Sequence, residues 1–134
     1  NNQWRTRHDI SITKGEDSEG FPIRHVPPVF GSSHFIFEGP KLYLDLYLNY
    51  NGKLNFEDLA PDEQDKPHLY VPDENGNPYS PSWWTANIKS NYQINSKLTL
   101  SGGLENIFNK RYRPYSSGVV SSGTNFVISA LLKI

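Results

Sequence analysis

The chain has 134 residues, neither Cys nor Met, and 13 basic against 14 acidic side chains for a net charge of −1. That balance offers no basic field to nucleic acid, and the missing Cys excludes a disulfide scaffold, a thiolate metal site and a Cys nucleophile. Only 36% of residues are hydrophobic, yet eight Tyr, seven Phe and three Trp exclude the aromatic-poor composition of a disordered chain.

A wall that is apolar on one side and wet on the other satisfies both observations. No run of about 18 apolar residues is present, which excludes a transmembrane helix. No signal peptide opens the chain, so an exported protein would not begin at Asn1, and the sequence reads as a piece of a longer one.

Strict alternation of apolar and polar residues predicts six strands. The first runs from Trp4 to Thr13, with Ile10 and Ile12 against Asp9 and Ser11. The second, Ser33 to Glu38, sets Phe35 and Phe37 against His34 and Ile36. The clearest is Leu42 to Tyr50, where Leu42, Leu44, Leu46, Leu48 and Tyr50 share one face and Tyr43, Asp45, Tyr47 and Asn49 the other. A helix would need such leucines three and four apart. From Trp84 to Ile94 the face of Trp84, Ala86, Ile88, Tyr92 and Ile94 (with Ser90) opposes Thr85, Asn87, Lys89, Asn91 and Gln93. Leu98, Leu100, Gly102 and Leu104 then oppose Thr99, Ser101, Gly103 and Glu105. The last strand places Phe126, Ile128, Ala130, Leu132 and Ile134 against a mixed face of Asn125, Val127, Ser129, Leu131 and Lys133.

The connections alternate in length. Glu38–Lys41 and Asn95–Lys97 are short turns, whereas 14–32, 52–82 and 107–123 are long, polar and rich in Pro and Gly. Transmembrane barrels alternate short periplasmic turns with long extracellular loops in this way. An eleven-residue strand at about 3.3 Å per residue, tilted by roughly 40°, covers on the order of 27 Å, near the apolar band of such barrels. Trp84 and Tyr92 fall at the two ends of one apolar face, and Tyr50 at the long-loop end of its own, as interface aromatics do. Six strands cannot close alone, and open edges in hydrocarbon leave backbone groups unsatisfied, so further strands are expected, with the strand ending at Ile134 closing the barrel.

The segment Leu98-Thr99-Leu100-Ser101-Gly102-Gly103-Leu104-Glu105-Asn106-Ile107-Phe108-Asn109-Lys110-Arg111-Tyr112 resembles the penultimate strand of TonB-dependent receptors. Arg113-Pro114-Tyr115-Ser116-Ser117-Gly118, then Gly123-Thr124-Asn125-Phe126 and the alternating end, resembles the Bacteroidetes members, as do Pro27-Pro28-Val29-Phe30-Gly31 and Tyr50-Asn51-Gly52 upstream. The resemblance covers most of the chain. It implies that residues 1–134 are the C-terminal segment of an all-β, antiparallel transmembrane barrel, the last six of 22 strands, with the plug domain and earlier strands outside this sequence. It further implies an outer-membrane receptor of a Gram-negative bacterium importing a scarce nutrient (ferric siderophore, haem or cobalamin). The implied partners are membrane lipid, the TonB complex through the absent N-terminal part, the outer-membrane assembly machinery and a surface lipoprotein, with no nucleic acid. The family ends in Phe and this chain in Ile134, a weaker substitute for recognition by the assembly machinery; its end also lacks the pattern of the glycan-importing branch.

On this reading the membrane-facing residues are Leu42, Leu44, Leu46, Leu48, Trp84, Ile88, Tyr92, Leu98, Leu100, Leu104, Phe126, Ile128, Leu132 and Ile134. Candidate ligand contacts in the long loops are Arg111, Tyr112, Arg113 and Tyr115, an aromatic–basic cluster suited to anions, together with His25, His68 and Trp83. Ordering of the loop is the simpler role for the cluster, and membrane anchoring for Trp84. His25 and His68 with Asp62, Glu63 and Asp65 lack metal-ligand spacing, so neither a metal site nor a cofactor is expected. Tyr43, Asp45 and Tyr47 are expected to pack against the plug. No G-x-S-x-G elbow or nucleophile–base set is present, and the Glu16–Asp17 and Asp73–Glu74 pairs fit turns, so no enzyme is expected. The competing readings are a structural or adhesive barrel and a soluble carbohydrate-binding β-sandwich, in which a second sheet would cover the leucines.

Overall fold

The computed structural model describes residues 3–134; Asn1, the start that the sequence reading questions, lies outside them. The strands are β1 (Trp4–Ser11), β2 (Phe30–Glu38), β3 (Leu42–Asn51), β4 (Val71–Pro72), β5 (Pro78–Tyr79), β6 (Trp83–Gln93), β7 (Leu98–Glu105) and β8 (Asn125–Leu132). Six of them form one antiparallel sheet in the order β1-β2-β3-β6-β7-β8, and β4 and β5 make a small hairpin inside the second long loop. Each long strand therefore lies beside the next long strand in the chain.

The register follows the hydrophobic period. Phe35 lies opposite Leu46, Leu46 opposite Ile88, Ile88 opposite Leu104, and Leu104 opposite Phe126. One apolar row thus crosses five strands. On the other face Ile36, Asp45, Lys89, Gly103 and Val127 are aligned in the same manner. Because side chains alternate with period 2, a slip of one residue in any pair would mix the two rows.

Burial is the reverse of that in a water-soluble sheet. Leu46 and Leu48 are 41% and 43% exposed, while Asp45, Tyr47, Thr85 and Asn87 on the polar face are buried. The described residues form a single layer, with no second sheet over the leucines as a sandwich requires. The centre of the polar wall is internally satisfied. His34 Nδ1 meets Asp45 Oδ1 at 2.9 Å, its ring stacks on Tyr47, and Lys89 Nζ lies over the Tyr47 ring, 5.0 Å from its centroid. Asp45 and Tyr47 are thus covered by neighbours in their own wall.

Aromatics gather at both ends of the apolar face. At the short-turn end Trp4 stacks on Phe35 and leans on Phe37, with ring centroids 4.7 and 4.8 Å apart. At the long-loop end Trp84 meets the edge of Phe108 at 5.6 Å. The short turns close by local hydrogen bonds: Gly39 N–H donates to Leu42 O, and Asn95 Oδ1 accepts from the N–H groups of Lys97 and Leu98.

Three boundaries differ most from the sequence reading. β2 begins at Phe30, not Ser33, because Gly31 pairs with Ile10 on one side and Tyr50 on the other. β1 stops at Ser11 and β8 at Leu132, after which Lys133 N–H still donates to Lys97 O; Ile134 lies beyond the ladder and is fully exposed.

The larger difference is the second long loop, read as polar connection but folded on a small core. A 3-10 turn at Phe56–Asp58 leads into the one-turn helix α1 (Pro61–Gln64), with Pro at its first position, where no N–H is needed. Leu59, Ala60, Glu63, Tyr70 and Ser80 are buried there. Leu54 and Ser80 exchange both backbone hydrogen bonds, which closes the loop upon itself.

Gly31 has no room for a side chain: a Cβ would collide with the Asp9 carbonyl and lie 2.7 Å from the Tyr50 hydroxyl. That hydroxyl passes over Gly31 to donate to Asp9 O at 3.2 Å, so an aromatic on β3 fills the gap and ties β3 to β1 across β2. Gly31→Val should destabilise the complete barrel by about 2 kcal/mol or more, an overpacking cost. Tyr50→Phe, which keeps the ring and loses one hydrogen bond, should cost about 1 kcal/mol. Thermal unfolding in detergent measures both; equal losses would refute the steric account.

Candidate functional site

The third long loop is built on Asn106, which follows β7 directly. Its backbone takes φ of +50°, a conformation that Asn tolerates better than most residues. Its N–H donates to Asn87 Oδ1 on β6 at 2.8 Å, its Nδ2 donates to Lys110 O, and its Oδ1 accepts from Lys110 N–H. Thr124 Oγ1 returns a hydrogen bond to Asn106 O from the other end of the loop, and Asn109 Oδ1 accepts from Thr124 N–H. The Asn106-Ile107-Phe108-Asn109 motif is therefore a knot. Its two Asn side chains hold the neck of the loop, and its Phe anchors on Trp84.

The knot delivers Lys110, Arg111, Tyr112 and Arg113 to one side of a cavity of about 360 Å³. The opposite side is the second long loop, from Leu69 to Val71 and from Ser80 to Trp83. Trp83 and Tyr112 stack across it with centroids 4.0 Å apart, and Trp83 Nε1 is buried without a hydrogen-bond partner. Arg113 Nη1 donates to His68 O at 2.7 Å, which bridges the two loops and leaves other guanidinium donors available. Three cations and no carboxylate line this cavity, so its field is positive.

Beneath it lies a buried carboxylate. Glu63 of α1 is 0% exposed; Tyr115 Oη and, at 2.6 Å, Ser116 Oγ donate to it from the third loop, and Arg24 Nε of the first loop stands 3.9 Å away. Burial pushes the Glu63 carboxyl upward, but hydrogen bonds from Ser116 and Tyr115 and the charge of Arg24 outweigh it and hold it below its ordinary value. Burial and the negative charge of Glu63 push Tyr70 up to about 12, and burial raises Tyr115 further still.

Of the seven ligand-contact candidates, Trp83, Arg111, Tyr112 and Arg113 come together around the cavity. Tyr115 lies below it as a strut on Glu63, as the loop-ordering role anticipates. His68 contributes its carbonyl while the residue itself is exposed, and His25 is exposed in the first loop at φ of +63°. Among the described residues no three His, Asp or Glu converge in a way that could hold a metal ion. Asp17 and Asp73 each accept two backbone N–H bonds in turns closed by Gly20 and Gly76. Sequence reasoning missed Lys110, Tyr70, Ser116 and the central place of Glu63. The only signal for Glu63 was its position between Leu59-Ala60-Pro61 and Tyr70, apolar residues inside a polar loop.

No protein-family model matches the sequence, and no curated protein does. Solved structures do match in fold. The copper transporter OprC superposes with a TM-score of 0.80 at 16% identity, over 98% of this chain and 20% of that one. The siderophore receptor PirA from Acinetobacter baumannii gives 0.72 at 18% identity, over 98% and 20%. The ferripyoverdine receptor of the outer membrane of Pseudomonas aeruginosa gives 0.66 at 18% identity, over 98% and 18%. The chain thus spans about a fifth of the length of these structures, and at such identities the likeness is one of fold.

Asn106→Ala should release the neck of the third loop, because it removes three hydrogen bonds and places Ala at a positive φ. The expected local cost is on the order of 2–4 kcal/mol. Trypsin should then cut after Lys110 and Arg111 at least tenfold faster in the folded complete protein. An unchanged rate would show that the loop does not depend on the knot.

Proposed function

We propose that this chain is the C-terminal, six-stranded part of a TonB-dependent receptor that imports a scarce nutrient across the outer membrane. The observation that carries the reading is the sheet itself, single-layered and leucine-faced, which fits over 98% of its length onto outer-membrane and transport structures such as OprC and PirA. Leu42, Leu44, Leu46, Leu48, Leu98, Leu100 and Leu104, with Ile88, Tyr92, Phe126, Ile128 and Leu132, would face lipid, and the Trp4 and Trp84 clusters would lie at its two interfaces. Ile134, beyond the ladder, would complete that face at the terminus. The remaining strands of a 22-stranded barrel, the plug and the TonB contact would be supplied by sequence upstream. The end motifs support a Bacteroidetes-type member, and assembly into the outer membrane would proceed through the terminal strand, with a surface lipoprotein as a further partner.

The cavity supports one cargo class above the others. Three cations, a stacked Trp–Tyr pair and an indole N–H without an acceptor suit an anionic ligand with flat aromatic groups, through charge-assisted and stacking contacts. Ferric catecholate siderophores have that chemistry and are favoured here over haem and cobalamin. Import, with no bond made or broken by the protein, is the role this reading assigns. A purely structural or adhesive barrel would not require such a cavity.

Two measurements test this. The intact mass of the polypeptide extracted from outer membranes should be several times the 15.3 kDa of this chain. Ferric dihydroxybenzoate should quench Trp fluorescence of that protein, and Arg113→Ala should weaken its binding about tenfold, the loss of one charge-assisted contact. A mature mass near that of this chain would rule out the single-chain receptor. Binding indifferent to Arg113 would remove the cavity from the ligand path.

A further inference from the structure

A fully buried carboxylate in a surface loop needs a reason, since desolvating it is costly unless every lone pair is engaged. The partners that compensate Glu63 come from two other loops. Tyr115 and Ser116 come from the third, with Ser116 held at φ of +57°, and Arg24 comes from the first. Tyr70 of its own loop is buried beside it, its ring tilted against that of Tyr115 with centroids 6.4 Å apart. Tyr70 and Ser116 also line the cavity above, so the cluster forms part of the cavity floor.

We propose that Glu63 is the positioning residue of the cavity: its carboxylate clasps the three long loops into one unit, and the wall of Trp83, Tyr112 and Arg113 keeps its shape only while Tyr115 and Ser116 are docked on it. The clasp rests on geometry alone; its bearing on cargo rests on the receptor reading above. Opening the third loop takes both hydroxyl donors from Glu63, and opening the first takes away Arg24, so the closure of each loop favours that of the others. Ligand entering the cavity meets a closed arrangement whose release passes through this single group.

The groups facing Glu63 are Tyr115 and Ser116 from the third loop, Tyr70 from the second and Arg24 from the first. Its carboxyl is held below the ordinary value in the closed state, so closure is favoured above the ordinary carboxyl range. That contribution disappears as pH falls through the lowered value. The clasp is therefore closed at neutral pH and opens on the acid side.

Hydrogen exchange of the complete protein in detergent, corrected for intrinsic rates, tests the clasp without a ligand. Glu63→Gln should raise exchange about tenfold or more in all three loops at neutral pH, including residues near Arg24 and Tyr115, with the strands unchanged. Wild-type loops should show an acid-side opening step that Glu63→Gln lacks. Should Glu63→Gln fail to assemble, Tyr115→Phe weakens the same contact and should raise exchange in the same three loops. A rise confined to the loop that carries the substitution, or an acid step that survives Glu63→Gln, overturns the proposal. Ferric dihydroxybenzoate binding, measured in parallel, should weaken about tenfold in Glu63→Gln. If the wild type does not bind this probe, the receptor reading is what fails, and the exchange data still decide the clasp. If it binds and Glu63→Gln binds equally well, Glu63 does not position the cavity.

Discussion

Everything above depends on the register between β3 and β6. That pairing puts Leu46 opposite Ile88 and Leu48 opposite Ala86 on one face, and Asp45 opposite Lys89 and Tyr47 opposite Asn87 on the other. It is the centre of the sheet, and it carries the long connection of 31 residues that becomes the second loop. A slip by one would place Asp45 and Lys89 among leucines, so the polar and apolar rows select a single alignment. The same alignment sets Asn87 where its Oδ1 can meet Asn106 N–H, and so where the third loop begins. Sheet and site are fixed by one pairing.

The inversion of burial then separates two kinds of stability. On the apolar face, leucines and aromatics contact one another only along the sheet, with no second layer among the described residues to cover them. On the polar face, stability comes from mutual satisfaction: carboxylate to imidazole, amide to backbone, ammonium over an aromatic ring. The loops follow a third pattern, since the second contains a miniature core in which Leu59 is fully buried. That core gives Glu63 a rigid base, without which a short helix of four residues would not persist.

The strands were legible in the sequence because a one-layer wall writes its two environments directly as alternation. Leu42 to Tyr50 shows this most clearly, and the paired faces from Trp84 to Leu104 follow from the same rule. Phe30-Gly31-Ser32 was less legible because Gly and a preceding Pro-Pro pair carry loop signals. Only the long-range contact of Tyr50 over Gly31 explains why a strand passes there. Within the site, Arg111, Tyr112 and Arg113 were visible as a cluster, and Trp83 as their partner was left open. Glu63 was barely visible: the apolar residues around this segment mark the stretch but do not separate the middle carboxylate from its exposed neighbours Asp62 and Asp65. Its role is set by residues 52 and 53 positions away in Tyr115 and Ser116, a separation that no local pattern records.

The placing of Glu63 also bears on the electrostatics of the cavity. A free carboxylate so near would pair with Lys110, Arg111 or Arg113 and cancel the field that an anionic ligand requires. Buried under the floor, Glu63 is instead compensated by two hydroxyls and by Arg24, a cation that does not line the cavity. Arg113 is meanwhile held by a backbone carbonyl, which orients the guanidinium without neutralising it. Loop closure and positive potential are thus obtained from different partners, and neither is achieved at the expense of the other. A loop tied by ordinary surface ion pairs could not combine the two, because each pair that closed it would also discharge it.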